Sequence, residues 1–175
     1  MKWVAAIILA GAIGYLVITY WKASDLLTFS PELSAYVGEW SIAYGVDPLA
    51  VSAIIHAETG GNPANFYVAD DAGAPSYGPM QVHSGQGAIA QFEQDQNVMI
   101  DESQLGNTTG PGLSQAVQIG VYYLSLCIKN ASGINPTAFA NYNAGVGHYS
   151  FPDSDDYGDT AYAYYQSIGG KAGTV

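Results

Sequence analysis

From Trp3 to Trp21 the chain carries no charge and hardly a polar side chain. In a helix these nineteen residues would extend about 28 Å, close to the hydrocarbon thickness of a bilayer. Trp3, Tyr20 and Trp21 sit at the ends, where interfacial aromatics belong, and Lys2 and Lys22 bracket the run. No polar face interrupts it, and Trp21-Lys22-Ala23-Ser24-Asp25 makes a poor cleavage site. The pattern predicts an uncleaved transmembrane anchor over residues 1–22, with a secretory signal peptide as the alternative. The short basic N-terminus and the acidic remainder predict that the N-terminus is inside and the rest of the chain outside.

After a linker at 23–33 the pattern becomes that of helices joined by long polar loops. Tyr36, Val37, Trp40, Ile42 and Ala43 predict a helix over 34–44, stopped by Gly45. Asp47-Pro48 opens the next, with Asp as N-cap and Pro at the first helical position, and this helix runs to Glu58. Residues 60–87 are rich in Gly, Pro, Asn, Asp and Ser and predict loop, with room for a small β element in 64–83. A short helix is predicted at 86–92, polar loop at 97–112, and a strong helix at 113–128. Further helices follow from Asn135-Pro136 to about Tyr142, and from about Thr160 to Ile168. These elements form one helical domain over 34–168 with a tail at 169–175, large enough to bury a substantial core.

Charge narrows the partners. All fifteen Asp and Glu follow the apolar run, there is no Arg, and only Lys129 and Lys171 are basic beyond Lys22. Nucleic acid, bound through Lys and Arg at phosphates, is excluded as a partner, and so is adhesion to anionic lipid. Fourteen tyrosines with many Asn, Gln and Ser suit a carbohydrate. Cys127 is the single cysteine, so no intramolecular disulfide forms, and its apolar surroundings predict a buried structural thiol. His56, His83 and His148 lack a metal-ligand spacing. Asp153-Ser-Asp155-Asp156-Tyr157-Gly158-Asp159 is similar to the opening of a calcium loop, but Tyr157 and Tyr164 occupy the fifth and twelfth positions. It reads as a solvated acidic loop. No metal or cofactor is expected.

The candidate chemistry lies at Glu58. This lone acid ends an apolar helix, immediately before Gly60, Gly61 and Pro63. Burial and the negative end of a helix both favour the protonated carboxyl. A carboxylic acid that keeps its proton near neutral pH can act as the general acid in glycosidic cleavage. A solvent-exposed Glu in a final turn is the alternative reading.

Three spaced segments extend this. They are Glu58-Thr59, then Ser76-Tyr77-Gly78-Pro79-Met80-Gln81-Val82, then Ala140-Asn141-Tyr142-Asn143-Ala144-Gly145. In this order the chain resembles the soluble-type lytic transglycosylases of the lysozyme-like superfamily, related to goose-type lysozymes. That family shows Glu-Ser at a helix end, Gly-Leu-Met-Gln and Ala-Tyr-Asn-Ala-Gly. The resemblance covers roughly residues 34–168. Thr59 stands in place of Ser, Pro79 in place of Leu, the gap from Glu58 to Gly78 is longer, and the late family Arg is absent.

The resemblance implies a mainly α, lysozyme-like α+β fold and cleavage of peptidoglycan glycan strands between N-acetylmuramic acid and N-acetylglucosamine. Glu58 would be the single acid/base and the products would end in 1,6-anhydro sugars. Gln81 and Asn143 would hydrogen-bond the sugar, and Ser76 and Met80 would line the cleft. Tyr142 and Tyr164 would fix Glu58 and the saccharide, with Tyr162 as the alternate late tyrosine. Met80 also reads as core packing, Tyr142 as a buried helix tyrosine, and Gln81 and Asn143 as loop ties. Asp70 and Asp71 are the nearest second carboxylates for a hydrolase, and His83 reads as a rim residue. A goose-type hydrolase, a non-catalytic peptidoglycan-binding module and a structural protein of a lipid-containing phage membrane remain alternatives. The expected location is the periplasmic face of a bacterial inner membrane or a virion membrane.

Overall fold

The computed structural model describes residues 29–69, 74–85, 87–146 and 152–173, with side chains from 156 onward in the last stretch. The predicted anchor at 1–22 and the paired acids Asp70 and Asp71 lie outside the described residues. Among the described residues no helix is long and apolar enough to cross a membrane.

Six helices and a small sheet are seen among the described residues. Helix α1 (Pro31–Tyr44) starts three residues before its predicted boundary, because Ser30 caps it by accepting from Leu33 N–H. Helix α2 (Pro48–Thr59) has the predicted cap, with Asp47 Oδ1 accepting from Leu49 N–H at 2.9 Å, and Gly60 ends it in the left-handed conformation at φ 61°. Every residue from Ala50 to Ile55 is buried, so this helix has no solvent face along that length. It packs on α1 and on α6 (Pro152–Ser167).

The loop after α2 holds strands β1 (Tyr67–Val68), β2 (Ser76–Tyr77) and β3 (Val82–His83), an antiparallel sheet in the order β1-β2-β3. Tyr67 pairs with Tyr77, and Ser76 with His83. Helix α3 (Ala88–Gln96) runs four residues beyond the predicted end at 92, and Asn97 stops it in the left-handed conformation. Helix α4 (Gly110–Asn130) is the long amphipathic helix, against which α1, α3 and α5 (Pro136–Ala144) pack. Asn135 caps α5 by accepting from Ala138 N–H.

The largest correction concerns the acidic segment at 153–159. It is the first half of helix α6, not a loop, and this helix begins eight residues before the predicted start at Thr160. Pro152 suits a first helical position. Gly158, Ala161 and Tyr165 form its buried stripe at helical spacing, and Ile168 is buried just past its end. The hydroxyl of Tyr165 reaches Asp47 Oδ2 at 2.9 Å, tying α6 to the cap that opens α2.

The turn between β2 and β3 is fastened from three sides. Thr59 Oγ1 donates to Pro79 O at 2.9 Å, and Tyr142 Oη donates to Met80 O at 2.9 Å. Behind them, Gly78 packs on Ala116 and Met80 on Gly120 of α4. A Cβ at Gly78 would lie 2.5 Å from Ala116 Cβ, at a backbone φ of +70° that L side chains rarely adopt. Gly78→Ala therefore meets both backbone strain and overpacking. It should lower the unfolding free energy by about 2–4 kcal/mol in urea denaturation.

Candidate active site

Helix α2 delivers Glu58 to the wall of a cleft of about 700 Å³. Ser76 of β2, Gln81 of the turn, and Val82 and His83 of β3 form one side. Ala88, Ala90, Gln91 and Gln94 of α3 form another, and Tyr142 to Val146 at the end of α5 close it with Tyr123 of α4. Glu58 is the only carboxylate among these described lining residues.

Two opposing forces act on that carboxylate. Burial pushes the Glu58 carboxyl from an ordinary value of 4.5 up to about 7. The Tyr157 hydroxyl donates to Glu58 Oε1 at 2.6 Å and pulls the other way, because it stabilises the charged form. Desolvation wins. Counted by surface the residue is half-buried, since it opens on the cleft. Tyr157 reaches Glu58 because α6 lies close over α5 at Gly158, where a Cβ would stand 2.5 Å from Pro136 O.

Gln81 is held with equal care. It occupies a left-handed backbone position at φ 49°, uncommon outside glycine. Its Nε2 donates to Asn65 O and to Gly78 O, each at 2.9 Å. Both amide hydrogens are thereby spent on backbone carbonyls, which fixes the orientation of the amide and leaves Oε1 as its acceptor. Tyr142 uses its hydroxyl on Met80 O, so it meets the cleft as a ring wall, with Tyr123 edge-on at 5.6 Å. Asn143 is exposed at the end of α5.

Residues 35–164 match the family model described as "Transglycosylase SLT domain". The chain belongs to this family. The fold is similar to that of an inactive glutamate-to-glutamine mutant of the lytic transglycosylase Slt from Pseudomonas aeruginosa, with a TM-score of 0.62 and 18% identity. The similarity covers 85% of this chain and 26% of that one, so the SLT domain chain spans about a quarter of that protein's length. No curated protein matches the sequence.

The SLT domain brings Glu58, Ser76, Gln81, Tyr142 and Asn143 to one cleft. Two of the expected site residues sit elsewhere. Met80 is fully buried beneath the cleft, its thioether packed against Gly120. Tyr164 stacks on His56 with ring centroids 3.8 Å apart, two turns of α6 and about 10 Å beyond Tyr157. Tyr157 is the residue that holds Glu58, and it was hidden inside the acidic segment. The spacing of Tyr157, Ala161 and Tyr165 with Pro152 upstream was the available signal for an earlier helix start. Tyr123 and the α3 residues on the opposite wall carried no motif.

The raised Glu58 value makes the site a cost to the fold. At pH below 4.5 the carboxyl is protonated in both folded and unfolded chains. Between 4.5 and about 7 the unfolded chain releases its proton first, so stability is lost as pH rises, and above about 7 the loss is complete. Glu58→Gln removes the titration. Its stability should match the parent near pH 4.5 and exceed it at pH 8 by on the order of 2–3 kcal/mol, read by urea unfolding at both pH values.

Proposed function

We propose that the chain is a membrane-anchored lytic transglycosylase that cleaves the β-1,4 bond between N-acetylmuramic acid and N-acetylglucosamine in peptidoglycan. The observation that carries this reading is the lone Glu58 carboxyl, lifted to about 7 on the wall of a neutral, amide- and tyrosine-lined cleft. At neutral pH such a group exists in both protonation states, which suits a residue that must act first as acid and then as base.

Protonated Glu58 gives its proton to the glycosidic oxygen as the C1–O bond breaks. The N-acetyl oxygen of the substrate covers the positive charge forming at C1, in place of a second carboxylate. Ionised Glu58 then takes the proton of the C6 hydroxyl while O6 bonds to C1. The product carries a 1,6-anhydro ring and Glu58 regains its proton. Gln81 Oε1, held by its two backbone bonds, accepts from sugar hydroxyl or amide N–H, and Asn143 and Ser76 hydrogen-bond the strand. Tyr142 supplies a ring wall. Tyr157 positions the carboxyl and stabilises its ionised form between the two steps. Residues 1–22 hold the domain to a bacterial inner membrane, where it remodels the envelope, or to the membrane of a lipid-containing virion, where it opens the host wall.

Two experiments test this reading. Purified peptidoglycan digested by the protein should release fragments ending in 1,6-anhydro-N-acetylmuramic acid by mass spectrometry, and Glu58→Gln should release none. Fragments heavier by one water would make the enzyme a hydrolase, and cleavage by the variant would remove Glu58 from the chemistry. Activity should fall as pH rises through about 7, as the acid form of Glu58 is lost. Tyr157→Phe removes the hydrogen bond that lowers the Glu58 value, so this alkaline limb should move to higher pH.

A further inference from the structure

Among the described residues, the cleft presents no fixed positive charge to a glycan strand. Apart from Glu58 and the imidazole of His83, its described lining side chains are neutral. Lys129 and Lys171 are the lysines among the described residues, and neither lines it. Lys129 stands exposed in the last turn of α4, and Lys171 lies in the C-terminal tail. The chain as a whole holds 15 acidic residues against 4 basic ones, a formal net charge of −11. An unbalanced charge of this size repels anionic polymers over the distance that salt allows.

One of these acids is hydrogen-bonded to a residue that lines the cleft. Asp95 is exposed near the C-terminal end of α3. Its Oδ2 accepts from Gln91 Nε2 at 2.8 Å, and Gln91 itself lines the cleft beside Gln94. The Tyr122 hydroxyl donates to the same oxygen. The Tyr122 hydrogen bond, followed by that of Gln91, holds the Asp95 carboxyl below the usual carboxylate range. Asp95 is one hydrogen bond away from the wall along which a strand would lie.

Peptidoglycan reaches an enzyme in different electrostatic forms. Its stem peptides carry carboxylates that are free or amidated, and some strands have lost their peptides altogether. We infer that this cleft selects strands whose stem peptides are absent or amidated over strands bearing free carboxylates, and that Asp95, bound to Gln91 of its wall, is a specificity-determining charge. The inference rests on the function proposed above. Two like unit charges held about 10 Å apart repel enough in water to change relative binding about twofold. The remaining net charge adds to this at low salt, where the screening length is about 30 Å at 0.01 M, and much less at 0.15 M, where it is about 8 Å.

The test uses the full chain in nonionic detergent with three substrates. They are sacculi with free stem carboxylates, the same sacculi with those carboxylates chemically amidated, and glycan stripped of peptides by an amidase. Initial release of soluble fragments is compared at about 0.01 M and about 0.15 M sodium chloride. Amidated and stripped substrates should be cleaved several-fold faster than the free-carboxylate form at low salt, with the gap closing at the higher salt. Asp95→Asn keeps an acceptor oxygen for Tyr122 and Gln91 while losing the charge. It should narrow the low-salt ratio by about twofold. Equal low-salt rates, or a preference for free carboxylates that fades with salt, overturn the inference and leave the proposed function standing. A ratio unmoved by Asp95→Asn removes Asp95 from it. Absence of cleavage of all three substrates overturns the proposed function, and the inference with it.

Discussion

The hydrogen bond from Tyr157 to Glu58, made where burial has stripped water from the carboxyl, is the interaction on which the site depends. Burial alone would hold Glu58 neutral and inert as a base. A strong donor alone would hold it ionised and useless as an acid. The pair together leaves it near neutrality, and the geometry behind the pair is built by the whole bundle. Helix α2 has no free face from Ala50 to Ile55, so its last turn is carried rigidly to the cleft. Helix α6 lies along it, fastened at one end by Tyr157 on Glu58 and at the other by Tyr165 on Asp47. Gly158 allows the close approach to α5 that brings Tyr157 within reach.

The opposite wall follows the same logic of indirect support. The turn carrying Gln81 has little regular structure of its own, and Pro79 contributes no N–H to it. Side chains from α2 and α5, Thr59 and Tyr142, capture its carbonyls instead. Glycine at 78 and 120 lets the turn sit directly on α4. The carboxyl proposed as the acid, on one rigid element, and the amide proposed to meet the sugar, on a turn bolted to that element, keep a fixed separation, which a loop left to itself would not maintain.

Much of this was legible in the sequence. Asp47-Pro48 and Asn135-Pro136 marked two helix starts correctly, because a capping side chain and a proline fix backbone geometry locally. The raised value of Glu58 was legible because a lone acid at the end of an apolar helix loses water on burial. Ser76, Gln81, Tyr142 and Asn143 were reached through motif order, and the cleft gathers all four. Packing between distant segments decided the rest. The residues 153–159 look like loop by composition, yet helical geometry and the partner surface of α2 and α5 override that preference. The tyrosine bonded to Glu58 is Tyr157, two helical turns from Tyr164, which was reached through its match to the late family tyrosine. Met80 followed its motif in sequence but is drawn under the turn by the space above Gly120. The α3 wall, made of Ala and Gln at helical spacing, has no chemical signature until the fold places it beside Glu58.

Everything proposed for this cleft requires the Glu58 carboxyl to titrate near neutrality in the folded protein. Infrared difference spectra between the parent protein and Glu58→Gln, recorded across a pH series, isolate the carbonyl stretch of this one protonated carboxyl. The band should disappear with a midpoint of about 7. A midpoint at the ordinary value of 4.5 would contradict the account, because burial would then not prevail over the Tyr157 hydrogen bond and the carboxyl would hold no proton at neutral pH.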